Sequence, residues 1–323
     1  MRRMLQTLFA ILLACAASVT LAQAYPTRTV RVVVPYPAGG YYDLLARVIG
    51  AKLAENWGQP FVVENRVGAN GIIGTEFVAK SAPDGYILMM GGIGPHGINP
   101  SIYAKLPYSP VRDFAPIIHV ASAPNVLVVH PSVDARSVRE LVSLALAKPG
   151  ALTFSSAGTG SSQHLSGEML KMIAGVNMTH VPYKGSAPAV TAVLSGEVTL
   201  LFGTMADVVE QVRGGKLRAL AVTGARRIPV LPDLPTMVES GVAGYEATAW
   251  FGMLAPAGTS REIVTKLNQE INRVLQTPDV LARISQQGSA EIVGGSPEQY
   301  GAFIRAEVAK WGNVVKEAGL KVE

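Results

Sequence analysis

Residues 32–50, VVVPYPAGGYYDLLARVIG, limit the possible folds of this chain more than any other stretch. Val32, Val33 and Val34 make a β-branched run of the kind that forms a buried strand. Pro35 and Pro37 break it, and Gly39-Gly40 supply backbone that tolerates positive φ and close approach to a ligand. From Asp43 the pattern turns helical, with Leu44, Leu45, Val48, Ile49 and Leu53 on one face. A glycine turn feeding a helix N-terminus leaves N–H groups unpaired at the positive end of the helix dipole, which suits an anion. The same turn also serves as plain punctuation between a strand and a helix.

Strand-like and helix-like segments alternate along nearly the whole chain, which predicts a parallel α/β architecture. The candidate strands are Thr29–Val34, Phe61–Glu64, Tyr86–Met90, Ile117–Val120, Val126–Val129, Leu152–Ser155, Met178–Pro182, Val198–Phe202, Leu217–Val222, Ala247–Leu254 and Ala290–Val293. Ser137…Glu140 and Thr259…Glu262 read as capping boxes, and Ser296-Pro297…Gln299 places proline at a first helical position. Gly196 marks the end of a helix that begins near Ala187-Pro188.

Residues 1–24 read as a signal peptide for export. Arg2-Arg3 are basic, Leu5–Val19 is apolar, and Ala22-Gln23-Ala24 is a small-x-small cleavage site. The apolar core falls short of the roughly 20 residues a bilayer-spanning helix needs. A competing reading takes Leu12-Leu13-Ala14-Cys15 as a lipoprotein signal with Cys15 lipidated. Cleavage after Ala24 takes 24 residues from 323 and leaves 299, a length that suggests two domains. Cys15 is the only cysteine, so the mature protein would rest on its core rather than on disulfides. The formal charge of +5 drops to +3 without Arg2 and Arg3, and no basic-aromatic patch points to nucleic acid.

A set of motifs then speaks together: PYPAGGYYDLLAR, WGQPFVVENRVGANGIIGTEFVAKSAPDGY, GPHGINPSIYAKLPYSPVRDFAPI, FSSAGTGSSQHLSGEML, HVPYKGSAPA, GGKLRALAVTGARR and LPTMVESGVAGYEATAWFGMLAPAGT. Across essentially the whole mature chain these resemble the tripartite tricarboxylate transporter receptor family, the Bug-type periplasmic solute-binding proteins. The resemblance implies a type II periplasmic-binding-protein fold, with two α/β domains hinged around a central cleft. Domain one would be 25–124 plus 250–323, and domain two, 125–249, would be inserted in it. The implied protein is a periplasmic monomer without cofactor or metal. It would capture a small carboxylate ligand and pass it to membrane transporter subunits, one large and one small. An orphan serving a sensory system is the alternative partner, and an exported hydrolase is the remote alternative.

Carried onto this sequence, the resemblance places ligand contacts on four loops. The first holds Tyr36, Ala38, Gly39, Gly40 and Tyr41, with Asp43 bracing the loop through the helix dipole. This chain departs from the family at Tyr41-Tyr42, where smaller residues are usual; the rings either cover the cleft rim or stack on an aromatic acid. The second is Gly91–Gly97, with Gly94 and His96 near the ligand. Its GxGxxG spacing mimics a dinucleotide fingerprint, but Pro95 interrupts it and Asn99-Pro100 opposes a following helix. His96 is equally readable as a structural hydrogen-bonder.

The third loop offers Gly158, Thr159, Gly160, Ser161 and Ser162, with more glycines and hydroxyls than a plain N-cap turn needs. The fourth contributes Thr204, and Gly203 stands where many relatives carry an acid, which leaves a ligand ammonium without a partner. Asp207 reads chiefly as a residue of the next helix start. These loops contain no Arg or Lys, so backbone and hydroxyl donors should hold the acid, and an unaminated carboxylate, aromatic acids included, is the expected class. Enzyme readings find little support: there is no GxSxG elbow, and the five histidines lack metal-ligand spacing.

Overall fold

The computed structural model describes residues 25–286 and 290–320, so the leader and Cys15 lie outside the described residues. The elements run β1 (Val30–Val34), α1 (Tyr41–Trp57), β2 (Phe61–Asn65), α2 (Ile72–Ala79), β3 (Ile87–Gly92), α3 (Asn99–Ile102), β4 (Phe114–Val129), α4 (Val138–Ala147), β5 (Thr153–Ser156) and α5 (Ser162–Ala174). They continue β6 (Thr179–Pro182), α6 (Ser186–Leu194), β7 (Leu200–Thr204), α7 (Met205–Arg213), β8 (Arg218–Val222), β9 (Thr248–Pro256), α8 (Arg261–Leu275), α9 (Pro278–Gln286), β10 (Glu291–Gly294) and α10 (Pro297–Glu317).

The strands follow the path β2-β1-β3-β9-β4-β7-β5-β6, with β8 and β10 also paired to β4. In one half β1 pairs in parallel with β2 and β3; in the other β5 pairs in parallel with β6 and β7. The inner strands β1, β3 and β7 are mostly apolar and buried, as strands covered by helices on a parallel sheet require. Between the halves lie the antiparallel pairings of β4. Residues 114–124 of that strand pair with β9, and residues 125–129 pair with β7 and β8.

Three expectations are corrected. Ile117–Val120 and Val126–Val129 are parts of one 16-residue strand rather than two. Pro116 and Pro124 look like breaks in the sequence. Both lie outside residues 119–122, where β10 covers the second edge of β4, and a missing N–H is tolerated at an uncovered edge. The start of α8 is capped by Ser260, whose Oγ accepts the Ile263 N–H at 3.3 Å, while the Thr259 hydroxyl donates to the Pro256 carbonyl at 2.8 Å. Asn99-Pro100 does not oppose a helix but starts one: a π-helical turn, Ile93–Ile98, runs straight into α3, where Pro100 occupies a first-turn position that needs no N–H. The Ser296 capping box forms in full, and Ser137 Oγ accepts the Glu140 N–H at 3.2 Å.

Helices α8 and α10 pack on β4 and steady it. Along α8, Val264, Leu267, Ile271, Val274 and Leu275 are buried on one stripe, and each such side chain contributes about 1.5–3 kcal/mol. On α10 the buried Glu307 accepts from the indole N–H groups of both Trp250 and Trp311 at 2.8 Å and also meets the Lys310 ammonium. A buried carboxylate needs such complete pairing.

Candidate functional site

Four loops leave the C-terminal ends of β1, β3, β5 and β7, where α/β sheets place their ligands. In the first, Gly39 takes φ +86° and its N–H donates to Asp43 Oδ2 at 3.0 Å. Asp43 is buried and also accepts from Arg47 Nε at 2.9 Å and Asn65 Nδ2 at 3.0 Å. The Arg47 hydrogen bond, helped by those from Gly39 and Asn65, lowers its pKa to about 2. Asp43 therefore braces the loop. The N–H groups of the first turn of α1 have no intrahelical acceptor, and Ala38, Gly39 and Gly40 are exposed beside them.

The three tyrosines of this region part company. Tyr36 and Tyr42 pack 4.6 Å apart, and Tyr42 meets the Phe251 ring edge-on at 4.7 Å. Tyr41 also meets the Phe251 ring edge-on, at 4.9 Å, and donates its hydroxyl to the Ile284 carbonyl of α9 at 3.0 Å. Its ring is committed to packing. The Tyr36 hydroxyl takes the space beside Gly94, where any Cβ would overlap it.

His96, in the π-helical turn, is fully buried, its ring against Phe114 at 4.8 Å, and neither ring nitrogen has a hydrogen-bond partner. Burial lowers its pKa to about 3, so the ring is neutral. The structure sets it in the core behind the loop. Asn70, which the sequence reading overlooked, stands nearer the opposite half, held by the buried Asn99. Asn70 lies in a left-handed turn with Ala69 (φ 49° and 46°), where Asn is better tolerated than most residues. Its Nδ2 donates to Asn99 Oδ1 at 2.9 Å, and Asn99 Nδ2 donates back to the Asn70 carbonyl at 3.0 Å. The Asn-Gly pair at 70–71 was the available signal, since it marks a tight turn.

Opposite them sits the β5–α5 loop. A Cβ on Gly160 would stand 3.1 Å from Ile102 Cδ1 and 3.5 Å from Asn70 Nδ2, so the two halves meet here. Gly158 and Gly160 take φ +128° and +81°, which only glycine adopts freely. Thr159 is exposed and Ser161 and Ser162 are half-buried; Ser161 Oγ caps α5 by accepting the His164 N–H at 3.2 Å. A chain of hydrogen bonds then ties three helix starts together. Ala157 N–H donates to Gln163 Oε1 at 2.7 Å, and Gln163 Nε2 to Ser186 Oγ at 2.5 Å. Ser186 and Thr204 both donate to Asp207 Oδ2 at 2.6 Å. Asp207 serves the helix starts, as its sequence position implied. At Gly203 a Cβ would overlap Val208.

The site thus brings together Tyr36, Gly94, Asn70 and Asn99 on one side with Gly158–Ser162 and Thr204 on the other. The loops after β1, β3, β5 and β7 carry no Arg or Lys, Arg66 of the Asn70 loop is paired with Glu64, and the carboxylates Asp43 and Asp207 are both engaged. Among the described residues no group of three His, Cys, Asp or Glu is placed to hold a metal ion.

A model described as "Tripartite tricarboxylate transporter family receptor" matches residues 45–320. Protein BugT of Bordetella pertussis is 38% identical over 303 residues, 94% of this chain and 93% of its own. A Rhodopseudomonas palustris protein solved with adipate is 41% identical, with a TM-score of 0.81 over 92% of this chain and all of its own. MatC from R. palustris, solved with bound malate, is 35% identical, with a TM-score of 0.77 over 90% of this chain and all of its own.

Proposed function

The chain belongs to the tripartite tricarboxylate transporter receptor family, whose members are periplasmic solute-binding receptors rather than enzymes, and we propose that it captures a small, unaminated organic carboxylate between the two halves of its sheet. The observation that carries this reading is the meeting of the β5–α5 loop with Asn70 and Ile102, which brings the start of α5 against the other half of the sheet. Helix starts, glycine backbone and hydroxyls suit a carboxylate without a cationic clamp. Adipate and malate, held by the two R. palustris relatives, are such acids and lack an amino group. Gly203 and the engaged Asp207 leave an ammonium no free partner. With Tyr41 packed on Phe251, Tyr36 remains the flat surface for an aromatic acid.

In this reading 25–124 plus 250–323 form one domain and 125–249 the inserted second, with β4 and β9 as the two crossings. The carboxylate favours the closed form because only that form touches it from both sides. The leader at 1–24 carries the chain to the periplasm, where the monomer hands its ligand to a transporter of one large and one small membrane subunit. Among the described residues no helix is long and apolar enough to cross a membrane.

Calorimetry against adipate, malate, citrate, benzoate, glutamate and aspartate tests the assignment. One or more of the first four should bind, and each should be recovered unchanged. Binding confined to the amino acids, or conversion of any acid to product, overturns it.

A further inference from the structure

Gly160 and His164 bond in a way that a plain helix cap does not require. Ser161 Oγ accepts the His164 N–H, and His164 Nδ1 in return accepts the Gly160 N–H at 3.1 Å. In a capping box Glu or Gln at this position accepts the N–H of the cap residue; here the cap N–H of Ser161 goes to the Gly158 carbonyl, and the imidazole takes the N–H one residue earlier. Acceptance at Nδ1 requires that this nitrogen be bare, so the proton of the neutral ring sits on Nε2, 3.7 Å from Glu168 Oε1.

A second imidazole continues the support. His164 stacks on His180 at 3.7 Å with 19° between the planes, and Phe154 stacks on His180 at 4.9 Å. His180 Nε2 meets Ser156 Oγ at 2.7 Å, and the same hydroxyl oxygen accepts the Gly158 N–H at 3.1 Å. Both glycines of the loop are thus tied down from beneath. The charged neighbours are Glu168 and Lys171 of α5, paired with each other at 2.9 Å; β6 contributes His180, and β5 contributes Phe154 and Ser156, which do not ionise. Burial lowers the pKa of His164 to about 3 and of His180 to about 4, with Lys171 nearby acting the same way on both.

These bonds decide which donors face the seam. The N–H groups of Ala157, Gly158 and Gly160 are already used. Those of Ser162 and Gln163 stand in the first turn of α5, where no intrahelical acceptor exists. We infer that the stacked His164–His180 pair positions the Gly158–Ser162 loop without touching the ligand, leaving the N–H groups of Thr159, Ser162 and Gln163, rather than that of Gly160, as the anion seat. The inference rests on the carboxylate-receptor reading above for what the seat binds.

Two variants and adipate as the probe test it. His164→Leu removes the acceptor, and His164→Asn puts an amide oxygen close to where Nδ1 stood. Calorimetry should find adipate binding weakened about tenfold or more in the Leu variant and restored to within about threefold of wild type in the Asn variant. In ¹⁵N-labelled wild type, a coupling across the hydrogen bond should join the Gly160 amide nitrogen to His164 Nδ1. The Thr159, Ser162 and Gln163 amide resonances should move in His164→Leu and return in His164→Asn. A protonated Nδ1, or a Leu variant with unmoved amides and wild-type affinity, overturns the inference. If adipate fails to bind wild type, that result counts against the receptor reading for this acid, and the coupling and amide shifts still decide the positioning role. Should His164→Leu fail to fold, the wild-type coupling and the Asn variant decide it.

Discussion

The two walls of the seam are built on opposite plans. On the β1–β3 side, rings fill space that glycines leave open: Tyr36 beside Gly94, Tyr42 beside Gly92, and Phe251 against Tyr41 and Tyr42. On the β5–β7 side, polar groups bond one another in series from Ala157 to Thr204. Apart from the Asp43 brace and the Asn70–Asn99 pair, the first wall is shaped by rings, whereas the second is shaped by hydrogen bonds in series. The histidines mark the contrast well. His96, on the first wall, is buried with no partner, whereas His164, on the second, bonds and stacks.

The sharpest way to break this comparison is Gly40→Val. Gly40 has an extended backbone, and a Cβ there meets only the Pro37 carbonyl at 3.6 Å, so the fold should accept the change. Adipate affinity should fall by about 100-fold or more while Tm moves by no more than about 2 °C. Gly160→Val is a poorer test because its φ of +81° strains any side chain. Retained binding in Gly40→Val would remove the first wall from the site.

Acid should expose the second difference. Burial holds His96 and His164 down to about 3 and His119 and His180 to about 4. The unfolded chain takes up these protons below about pH 6.5 while the folded chain does not, so these rings cost nothing above pH 7 and destabilise the fold as pH falls through 6.5 toward 3–4. For the fully buried His96 the loss amounts to about 2 kcal/mol at pH 5. His96→Leu should therefore raise stability at pH 5 by about that amount relative to wild type and change little at pH 7.5, as denaturant melts at the two pH values would report. Equal effects at both values would mean that His96 has a partner in solution.

The smallest expected effect concerns Tyr41. Tyr41→Phe removes the hydroxyl that bonds the Ile284 carbonyl but keeps the contact with Phe251. Unfolding free energy should drop by about 1 kcal/mol, with affinity for adipate and benzoate unchanged. A selective loss of benzoate binding would return Tyr41 to the cleft.

Much of this architecture was legible from local chemistry. Gly39, Gly158 and Gly160 follow strands with β-branched or aromatic residues, and their positive φ needs glycine, so both loops are marked in the sequence. The course of β4 did not, because the tolerance of Pro116 and Pro124 depends on which edge β10 covers. Nor did the placement of His96, since the spacing of residues in a π-helical turn gives no clue to which side faces the core. The Asn-Gly pair at 70–71 marks a turn, but the place of Asn70 against Gly160 exists only once residues 90 positions apart are brought together by the fold.

Glu307 gives the protein a built-in optical reporter. An excited indole moves electron density away from its pyrrole nitrogen, so a carboxylate held at that nitrogen stabilises the excited state and shifts emission to longer wavelength. Two of the three tryptophans, Trp250 and Trp311, share this one carboxylate. Trp250 lies on β9 opposite Ser122 of β4, close to where β4 changes partners, while Glu307 and Trp311 belong to α10. In the closure proposed above, any slippage of β9 against α10 would alter the distance from charge to chromophore, and emission wavelength would report it without a label.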